Sequence, residues 1–343
     1  MKKLFIALTA MVVLASCSSV PSTDPSESDS ASPSETCWIS PLTGQCSSAD
    51  QPAMVVKIDD VFDARPQYSL NSADLIVVEP VEGGLTRLFA TYQTNQPTLV
   101  GPVRSARITD PDIAEAFGVP GFVYSGSNNK VKPLLQAASI QLVGAPQGGK
   151  GYFREEGRNA PHNLIGVFAD LLTRLDDPES ARLNTTSSWL FSKTPTAGKK
   201  VQNVVVQWPS EKKTFTWNAA LNSWTIKSGK VDTVSLDPDT KESVLATAQS
   251  VFIMQTYLLP NPTSSQTPYP KTWGSGAGYI LNGGQVIPVT WKRPFIKDLP
   301  HWYLADGTEV SVAPGRMWWA IVADKDKVTI NYPATPTPST SAS

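Results

Sequence analysis

The start of the chain constrains the rest most, because it sets the compartment in which the chain must fold. Lys2 and Lys3 precede an apolar run over residues 4–14, and Ala15 and Ser16 lead directly into Cys17. The run is too short to span a bilayer, which takes roughly 20 residues. Small residues before a cysteine are typical of a lipoprotein signal, although an ordinary secretory signal with an incidental cysteine is the alternative. We predict that residues 1–16 are removed, that Cys17 carries a lipid, and that the protein lies at the outer, extracytoplasmic face of the cell membrane.

The folded part is expected to lie between two polar ends. Residues 17–36 consist almost entirely of Ser, Pro, Thr, Asp, Glu and Ala, and residues 333–343 are again rich in Pro, Thr, Ser and Ala. Such segments bury too little apolar surface to offset the entropy lost on ordering. We therefore predict a disordered tether over residues 17–36 and a disordered tail over residues 333–343.

The remaining cysteines indicate a disulfide rather than a metal site. Cys37 and Cys46 are the two cysteines that follow the lipid site, and the whole chain has only two histidines. Outside the cytoplasm, two close cysteines most often pair with each other. Zinc sites usually take four Cys or His ligands, so we predict no metal and no cofactor.

The charge balance argues against nucleic-acid binding. Lys and Arg number 29 against 30 Asp and Glu, so the formal net charge is −1. Non-specific binding to nucleic acid needs a strongly basic face, which this balance does not favour. The expected partners are the membrane, through the lipid at Cys17, and either an anionic envelope ligand or another protein.

The composition changes near residue 190, which predicts two domains. Before this point predicted strands alternate with predicted helices, and after it short Val-, Thr- and Trp-rich strands are separated by Gly- and Asn-containing turns. We predict an α+β or α/β N-terminal domain with a mixed sheet over residues 37–190. A smaller, mainly antiparallel β domain is predicted over residues 191–332. The predicted helices cover residues 109–117, 129–138 and 164–175, and the clearest predicted hairpin turns at residues 282–284.

The candidate ligand-binding residues concentrate in the first half. Guanidinium groups near strand ends or a helix start are suited to bind an anion. The alternative is that arginines 87, 104 and 107 pair internally with carboxylates of Asp59, Asp74, Glu79 or Glu82. The candidates are Arg65, Glu82, Arg87, Arg104, Arg107, Arg154, Arg158, His162 and Asn163.

Catalytic residues are not identified by any motif. His162 could serve as a general base or an anion ligand, but a histidine that binds backbone or caps a helix is an equally simple interpretation. Ser105 lies between two arginines without the Gly-x-Ser-x-Gly pattern of a nucleophile elbow. The sequence thus favours a protein that is not an enzyme and leaves the catalytic residues unknown.

Four blocks of residues resemble the YerB-like lipoproteins of Gram-positive bacteria. They cover residues 65–67, 82–87, 101–107 and 160–163. Residues 41–44 resemble the motif that opens the N-terminal domain of this family, and residues 276–278, Gly315 and Trp318 resemble its C-terminal domain. The resemblance spans residues 41–323; the Cys37 and Cys46 pair departs from it. It implies a two-domain fold and an extracytoplasmic location, and it implies no reaction, because both family domains have no assigned function.

Three functions follow as hypotheses. The first is a non-enzymatic lipoprotein that binds an anionic ligand or a protein through its arginine-rich face. The second is a phosphotransferase-like enzyme acting on polyprenyl-phosphate-linked envelope polymers, suggested by a loose likeness to the LytR-CpsA-Psr phosphotransferases; it predicts a deep apolar tunnel beside Arg87 and Arg104. The third is a carbohydrate-binding or assembly module, which predicts two or three exposed coplanar tryptophans.

Overall fold

A computed structural model describes residues 37–47, 49–183 and 188–334. The predicted signal, the lipid site at Cys17, the tether and most of the predicted tail lie outside the described residues. From Cys37 onward the chain forms one unit, built mainly of strands with three short α-helices among the described residues. No helix in the described ranges is long and apolar enough to cross a membrane.

The first half contains eleven strands and three helices. The helices are α1 (Thr109–Ala114), α2 (Lys132–Ala137) and α3 (Phe168–Leu172). Single 3-10 turns cover Phe62–Ala64, Leu70–Ser72, Glu82–Gly84, Glu115–Phe117 and Ala145–Gln147. The strands are β1 (Trp38–Ile39), β2 (Cys46–Ser47), β3 (Met54–Asp59), β4 (Gln67–Tyr68), β5 (Leu75–Pro80), β6 (Thr86–Tyr92), β7 (Leu99–Val100), β8 (Gly121–Val123), β9 (Gln141–Leu142), β10 (Tyr152–Arg154) and β11 (Leu164–Val167).

In the second half, strands are the only regular secondary structure among the described residues. Its strands are β12 (Lys199–Lys200), β13 (Asn203–Gln207), β14 (Lys212–Asn218), β15 (Ser223–Ser228), β16 (Val231–Asp232), β17 (Val234–Leu236), β18 (Ser243–Leu245), β19 (Thr247–Ala248), β20 (Ser250–Thr256), β21 (Gly274–Asn282), β22 (Gln285–Arg293), β23 (His301–Tyr303), β24 (Met317–Ala323) and β25 (Lys327–Asn331).

One eleven-stranded mixed sheet runs through both halves. Its order is β12-β22-β21-β20-β24-β5-β6-β3-β8-β9, with β23 paired to β22. The halves meet where β24 pairs in parallel with β5, from Met317 beside Leu75 to Ala320 beside Val78. Strands β3, β5, β6 and β24 are buried along their whole length, as expected for sheet strands covered on both faces.

Two hydrophobic clusters cover the two faces of this sheet. The first includes Val206 and Phe215 of a six-stranded sheet (β13–β16, β19 and β25), which packs against residues such as Ile76 and Trp318. The second is formed with α1, α2 and aromatic residues of the second half. The fold is therefore sheet-rich, and its helices are too short to form a layer of their own.

The structure confirms several predictions from the sequence and corrects one. The 282–284 turn joins β21 to β22 in a hairpin whose two strands are nine residues long each. Cys37 is disulfide-bonded to Cys46, as predicted. The helix predicted over residues 164–175 is wrong at its start, because residues 164–167 form β11 between β10 and β7. Gly166 explains this difference: glycine disfavours a helix interior, and a Cβ here would lie 2.8 Å from Leu171 Cδ1 and 3.0 Å from Val100 Cγ2.

Candidate anion-binding cleft

A cleft of about 320 Å³ opens where β3 ends and β6 begins; we call it the arginine cleft. Asp59, the last residue of β3, pairs in register with Arg87 of β6. The extended segment before α1 returns to the same place, because the Arg104 backbone N–H donates to the Lys57 carbonyl at 2.8 Å. The cleft is lined by Asp59, Val61, Val81, Glu82, Leu85, Thr86, Arg87, Arg104 and Arg107.

The turn between β5 and β6 forms one side of the cleft. Its two glycines, Gly83 and Gly84, have φ values of 72° and 70°. A Cβ on Gly84 would lie 2.6 Å from the Pro209 Cβ, so the turn packs closely against the second half. Glycine adopts positive φ without steric cost, which allows the turn to place Glu82 beside Arg107.

Asp59 holds two basic side chains with one oxygen. Its Oδ2 atom lies 3.0 Å from Arg104 Nε and 2.7 Å from His162 Nδ1. The Asp59 side chain is 2% exposed, whereas those of Arg104 and His162 are 19% and 20% exposed. A buried carboxylate in this position fixes both basic groups at the cleft.

Glu82 pairs with Arg107 on the opposite side. Its carboxylate lies 2.8 Å from Arg107 Nε and accepts a hydrogen bond from the Thr267 hydroxyl. Burial raises the pKa of Glu82, but the bonds from Thr267 and Arg107 outweigh burial, and the net shift is downward. Glu82 is therefore held ionised, and Thr267 ties this side of the cleft to the second half.

Arg87 has no carboxylate partner within 4 Å among the described residues. It is 7% exposed, and its one hydrogen bond runs from Nη1 to the Ser105 carbonyl at 2.6 Å. Burial, together with the positive charges of Arg107 and Arg104, lowers its pKa to about 10 against the opposing attraction of the Glu82 and Asp59 carboxylates. A buried cation is normally paired or fully hydrogen-bonded. Arg87 has no such partner for Nε and Nη2, which are accessible from the cleft, so these two nitrogens could donate to an anion bound there.

Arg293 shows what a structural buried arginine looks like in this protein. It is fully buried and also lacks a carboxylate within 4 Å in the described ranges. Its three guanidinium nitrogens, however, donate to four carbonyls and to the Thr272 hydroxyl. Arg87 therefore makes fewer hydrogen bonds to the protein than Arg293 does, and its free donors face the cleft.

A buried ionic triad lies beneath the cleft. Lys57 Nζ contacts the Glu79 carboxylate and lies 2.7 Å from Asp110 Oδ1, and all three side chains are completely buried. The other oxygen of Asp110 accepts the Arg107 backbone N–H at 2.5 Å. Burial lowers the pKa of Lys57 to about 8 against the opposing attraction of Asp110, with Arg87 and Arg107 adding to the decrease. The triad therefore supports the backbone that carries Arg107.

The nine candidate residues divide between the cleft and its surroundings. Four of them, Glu82, Arg87, Arg104 and Arg107, line the cleft, and His162 adjoins it through Asp59. The other four, Arg65, Arg154, Arg158 and Asn163, do not line the cleft and contact other parts of the protein. Their partners are, respectively, the Asp60 carbonyl, the Asn163 side chain, Glu155 with the Ala64 carbonyl, and backbone carbonyls of residues 155 and 158.

The internal-pairing alternative holds for two arginines out of three. Asp59 and Glu82 are the partners of Arg104 and Arg107, whereas Asp74 caps the backbone of residues 93 and 94 and Glu79 pairs with Lys57. Sequence reasoning missed the cleft role of Asp59 and the triad. The available signal was Lys57 itself, a charged residue inside the apolar strand β3.

Two of the functional hypotheses predicted structural features that the described residues do not show. The cleft beside Arg87 and Arg104 has only three apolar lining residues, Val61, Val81 and Leu85, so it is not an apolar tunnel. None of the ten tryptophans, all of which are described, is exposed. Six of them, including Trp208 and Trp318, are among the largest completely buried side chains. The predicted platform of exposed tryptophans is not found in the described ranges, where Trp38, Trp217 and Trp273 are half-buried and the other seven are buried.

Comparison with known proteins identifies the family. The N-terminal domain described as "Protein of unknown function (DUF3048)" matches residues 42–180, and the C-terminal domain of the same description matches residues 204–319. The chain is 27% identical to "Putative lipoprotein YerB" of Bacillus subtilis (strain 168) over 302 residues, which are 85% of this chain and 88% of that protein. The crystal structure of YerB from Bacillus subtilis superimposes with a TM-score of 0.71 at 23% identity, over 85% of this chain and 99% of that one. The chain belongs to the YerB-like family, whose N- and C-terminal domains it carries in that order.

Proposed function

We propose that this protein is a lipid-anchored, extracytoplasmic binding protein that holds an anionic envelope ligand in the arginine cleft. The anchor is proposed at Cys17, in agreement with a relative whose name describes a lipoprotein. The observation that carries the binding proposal is Arg87, a buried guanidinium that has no carboxylate partner.

The charge of the cleft supports an anion rather than a cation. Three arginines, Arg87, Arg104 and Arg107, face two carboxylates, Asp59 and Glu82, which leaves a formal surplus of one positive charge. A charge-assisted hydrogen bond contributes about 1.5–3 kcal/mol, so two or three of them hold a phosphate or carboxylate with millimolar to micromolar affinity.

A thermal-shift series tests the binding proposal. Full-length protein in detergent is melted with phosphate, pyrophosphate and polyprenyl-phosphate analogues, with and without Mg²⁺. We expect stabilisation by at least one phosphate compound and its loss in Arg87→Gln. The matched control is Arg182→Gln, since Arg182 pairs with Glu179 outside the cleft at 2.9 Å and should not affect the shift. No stabilisation of the folded wild type by any of these compounds would contradict the proposal and favour a protein partner.

Fatty-acid labelling tests the anchor separately. Cells are given an alkyne fatty acid, and incorporation into the protein is compared between the wild type and Cys17→Ser. We expect labelled wild type and unlabelled variant. Equal labelling, or no labelling of either protein, would contradict an anchor at Cys17 without affecting the cleft.

The division near residue 190 into an α/β domain over residues 37–190 and an antiparallel β domain over residues 191–332 is kept as a proposal. The family domains end and begin on either side of this point, at residues 180 and 204. Because β24 pairs with β5, we propose that the two domains depend on each other for stability.

A further inference from the structure

We propose that the arginine cleft also hydrolyses a phosphodiester, with His162 as the general base; this rests on the proposed anion binding. The inference comes from the geometry around Asp59, where one buried carboxylate contacts both His162 and the cleft residue Arg104. The inference assigns a reaction to the cleft, whereas the proposed function requires only that the cleft bind an anion.

The contact with Asp59 selects the reactive nitrogen of His162. Asp59 Oδ2 lies 2.7 Å from His162 Nδ1, and the Asp59 side chain is 2% exposed. An ionised buried carboxylate only accepts, so the neutral imidazole carries its proton on Nδ1 and the lone pair on Nε2. Among the described residues Nε2 has no partner, and the ring is 20% exposed. His162 is therefore oriented as a base with a free nitrogen.

The Asp59 carboxylate also connects His162 to the cleft. Asp59 Oδ2 also lies 3.0 Å from Nε of Arg104, which lines the cleft. His162 does not line the cleft itself, but Asp59, which does, joins its imidazole to Arg104. When Nε2 takes up a proton, Asp59 stabilises the resulting imidazolium, as carboxylate partners of catalytic histidines do.

The charge of the cleft selects the class of phosphate. A phosphodiester carries one negative charge, so the carboxylates of Asp59 and Glu82, which line the same cleft, repel it less than they repel a dianion. A phosphomonoester carries close to two charges at pH 7, because its second pKa is about 6. The cleft therefore favours diesters over monoesters.

The proposed step balances without a co-reactant other than water. The water oxygen forms a bond to phosphorus, and its proton moves to His162 Nε2. The bond between phosphorus and the leaving oxygen breaks on the opposite face of the phosphorus. The leaving oxygen takes a proton from bulk water, and Nε2 returns its proton to bulk water. The products are an alcohol and a phosphomonoester, while Arg87 and Arg104 stabilise the negative charge that accumulates on the phosphoryl oxygens.

The experiment compares His162→Asn with a matched control, His301→Asn. Asparagine keeps a donor that can reach Asp59 but lacks a base at the Nε2 position. His301 is the only other histidine, and it forms the same kind of pair, with its Nδ1 at 2.6 Å from Glu309. Full-length proteins in detergent are assayed with bis(p-nitrophenyl) phosphate and with p-nitrophenyl phosphate. Binding of inorganic phosphate is measured on the same samples by calorimetry.

We expect the wild type to hydrolyse the diester faster than the monoester. General-base catalysis contributes about 100-fold or more, so His162→Asn should lose about that factor in kcat. Its phosphate affinity should stay within about 3-fold of wild type, because the arginines remain. His301→Asn should match wild type in both measurements. Imidazole added to His162→Gly should restore part of the rate.

The results separate the two proposals. Phosphate binding without hydrolysis of either ester overturns the catalytic proposal and leaves the binding proposal intact. Hydrolysis that is equal in wild type and His162→Asn also overturns it, since phosphate binding by the variant shows that it is folded. Absence of phosphate binding by the wild type contradicts both. If the diester is cleaved, phosphatidylglycerol vesicles and soluble glycerophosphodiesters are then compared, which distinguishes a lipid from a water-soluble source.

Discussion

Removing the charge of Lys57 should destabilise the protein strongly, because two buried carboxylates then lose their cation. Lys57→Met keeps the length and volume of the side chain and removes only the ammonium group. Glu79 and Asp110 would remain, both completely buried. The variant therefore isolates the electrostatic part of the triad from its packing.

The magnitude follows from the geometry. At an effective dielectric constant of about 20, unit charges 2.7 Å apart attract by about 6 kcal/mol. Methionine avoids the desolvation of the ammonium, the cost that lowers the pKa of Lys57 to about 8, so the net loss is smaller. Breaking a buried pair by removing one partner typically costs about 3–5 kcal/mol. A domain is stable by only about 5–15 kcal/mol, so this loss is large.

Urea unfolding, followed by the fluorescence of the buried tryptophans, measures the effect. The matched control is Lys150→Met, since Lys150 pairs with Asp170 at 2.9 Å but is 63% exposed, and it should change the free energy of unfolding by less than about 0.5 kcal/mol. Neutralising the whole triad, as Lys57→Met with Glu79→Gln and Asp110→Asn, should recover at least half of the loss. A loss below about 1 kcal/mol in Lys57→Met, or no recovery in the triple variant, would refute the reasoning.

Three further predictions concern pH, the disulfide and the sheet. Burial raises the pKa of Asp74 to about 6 despite hydrogen bonds from Thr94 and Gln93, so the folded state binds its proton more tightly than the unfolded state. Asp74 should therefore stabilise the protein fully below pH 4 and lose this effect as pH rises to about 6. The difference in unfolding free energy between wild type and Asp74→Asn should change by about 3 kcal/mol between pH 4 and 7, and a pH-independent difference contradicts the assignment. Replacing both Cys37 and Cys46 by Ser should lower the free energy of unfolding by about 2–3 kcal/mol, checked by urea unfolding against the reduced wild type. A fragment of residues 37–190 should fail to fold alone, because β5 would lose β24; a cooperative melting transition of this fragment would contradict that dependence.

Local sequence signals predicted the elements whose turn residues or periodicity are unambiguous. The Asn-Gly-Gly turn at residues 282–284 predicted the β21–β22 hairpin. Residues 164–175 were assigned wholly to a helix because their apolar residues recur at helical spacing, and Leu164 and Val167 fit that spacing although they lie in β11. The parallel pairing of β24 with β5 joins residues about 240 positions apart and has no local signal.

The sequence predicted which residue types form the candidate site, but it did not predict which carboxylate pairs with which arginine. Arg87, Arg104 and Arg107 were recognised as a cluster, and they line one cleft. An interpretation based on helical spacing would have placed Arg104 and Arg107 on one helix face, but Arg104 lies in an extended segment whose Val103 bridges Ile58. Which arginine lacks a carboxylate depends on the register of β3 with β6, and a single sequence does not specify that register.

A crystal structure grown with tungstate tests the central claim most directly, because the metal of this phosphate-like anion marks its own position. We predict one tungstate in the arginine cleft, with oxygens about 2.7–3.2 Å from guanidinium nitrogens of Arg87 and of Arg104. The Arg104 contact with Asp59 should persist in that crystal. A cleft without tungstate in a crystal that binds it elsewhere, or an Arg87 guanidinium paired with a carboxylate of the protein, would contradict the account.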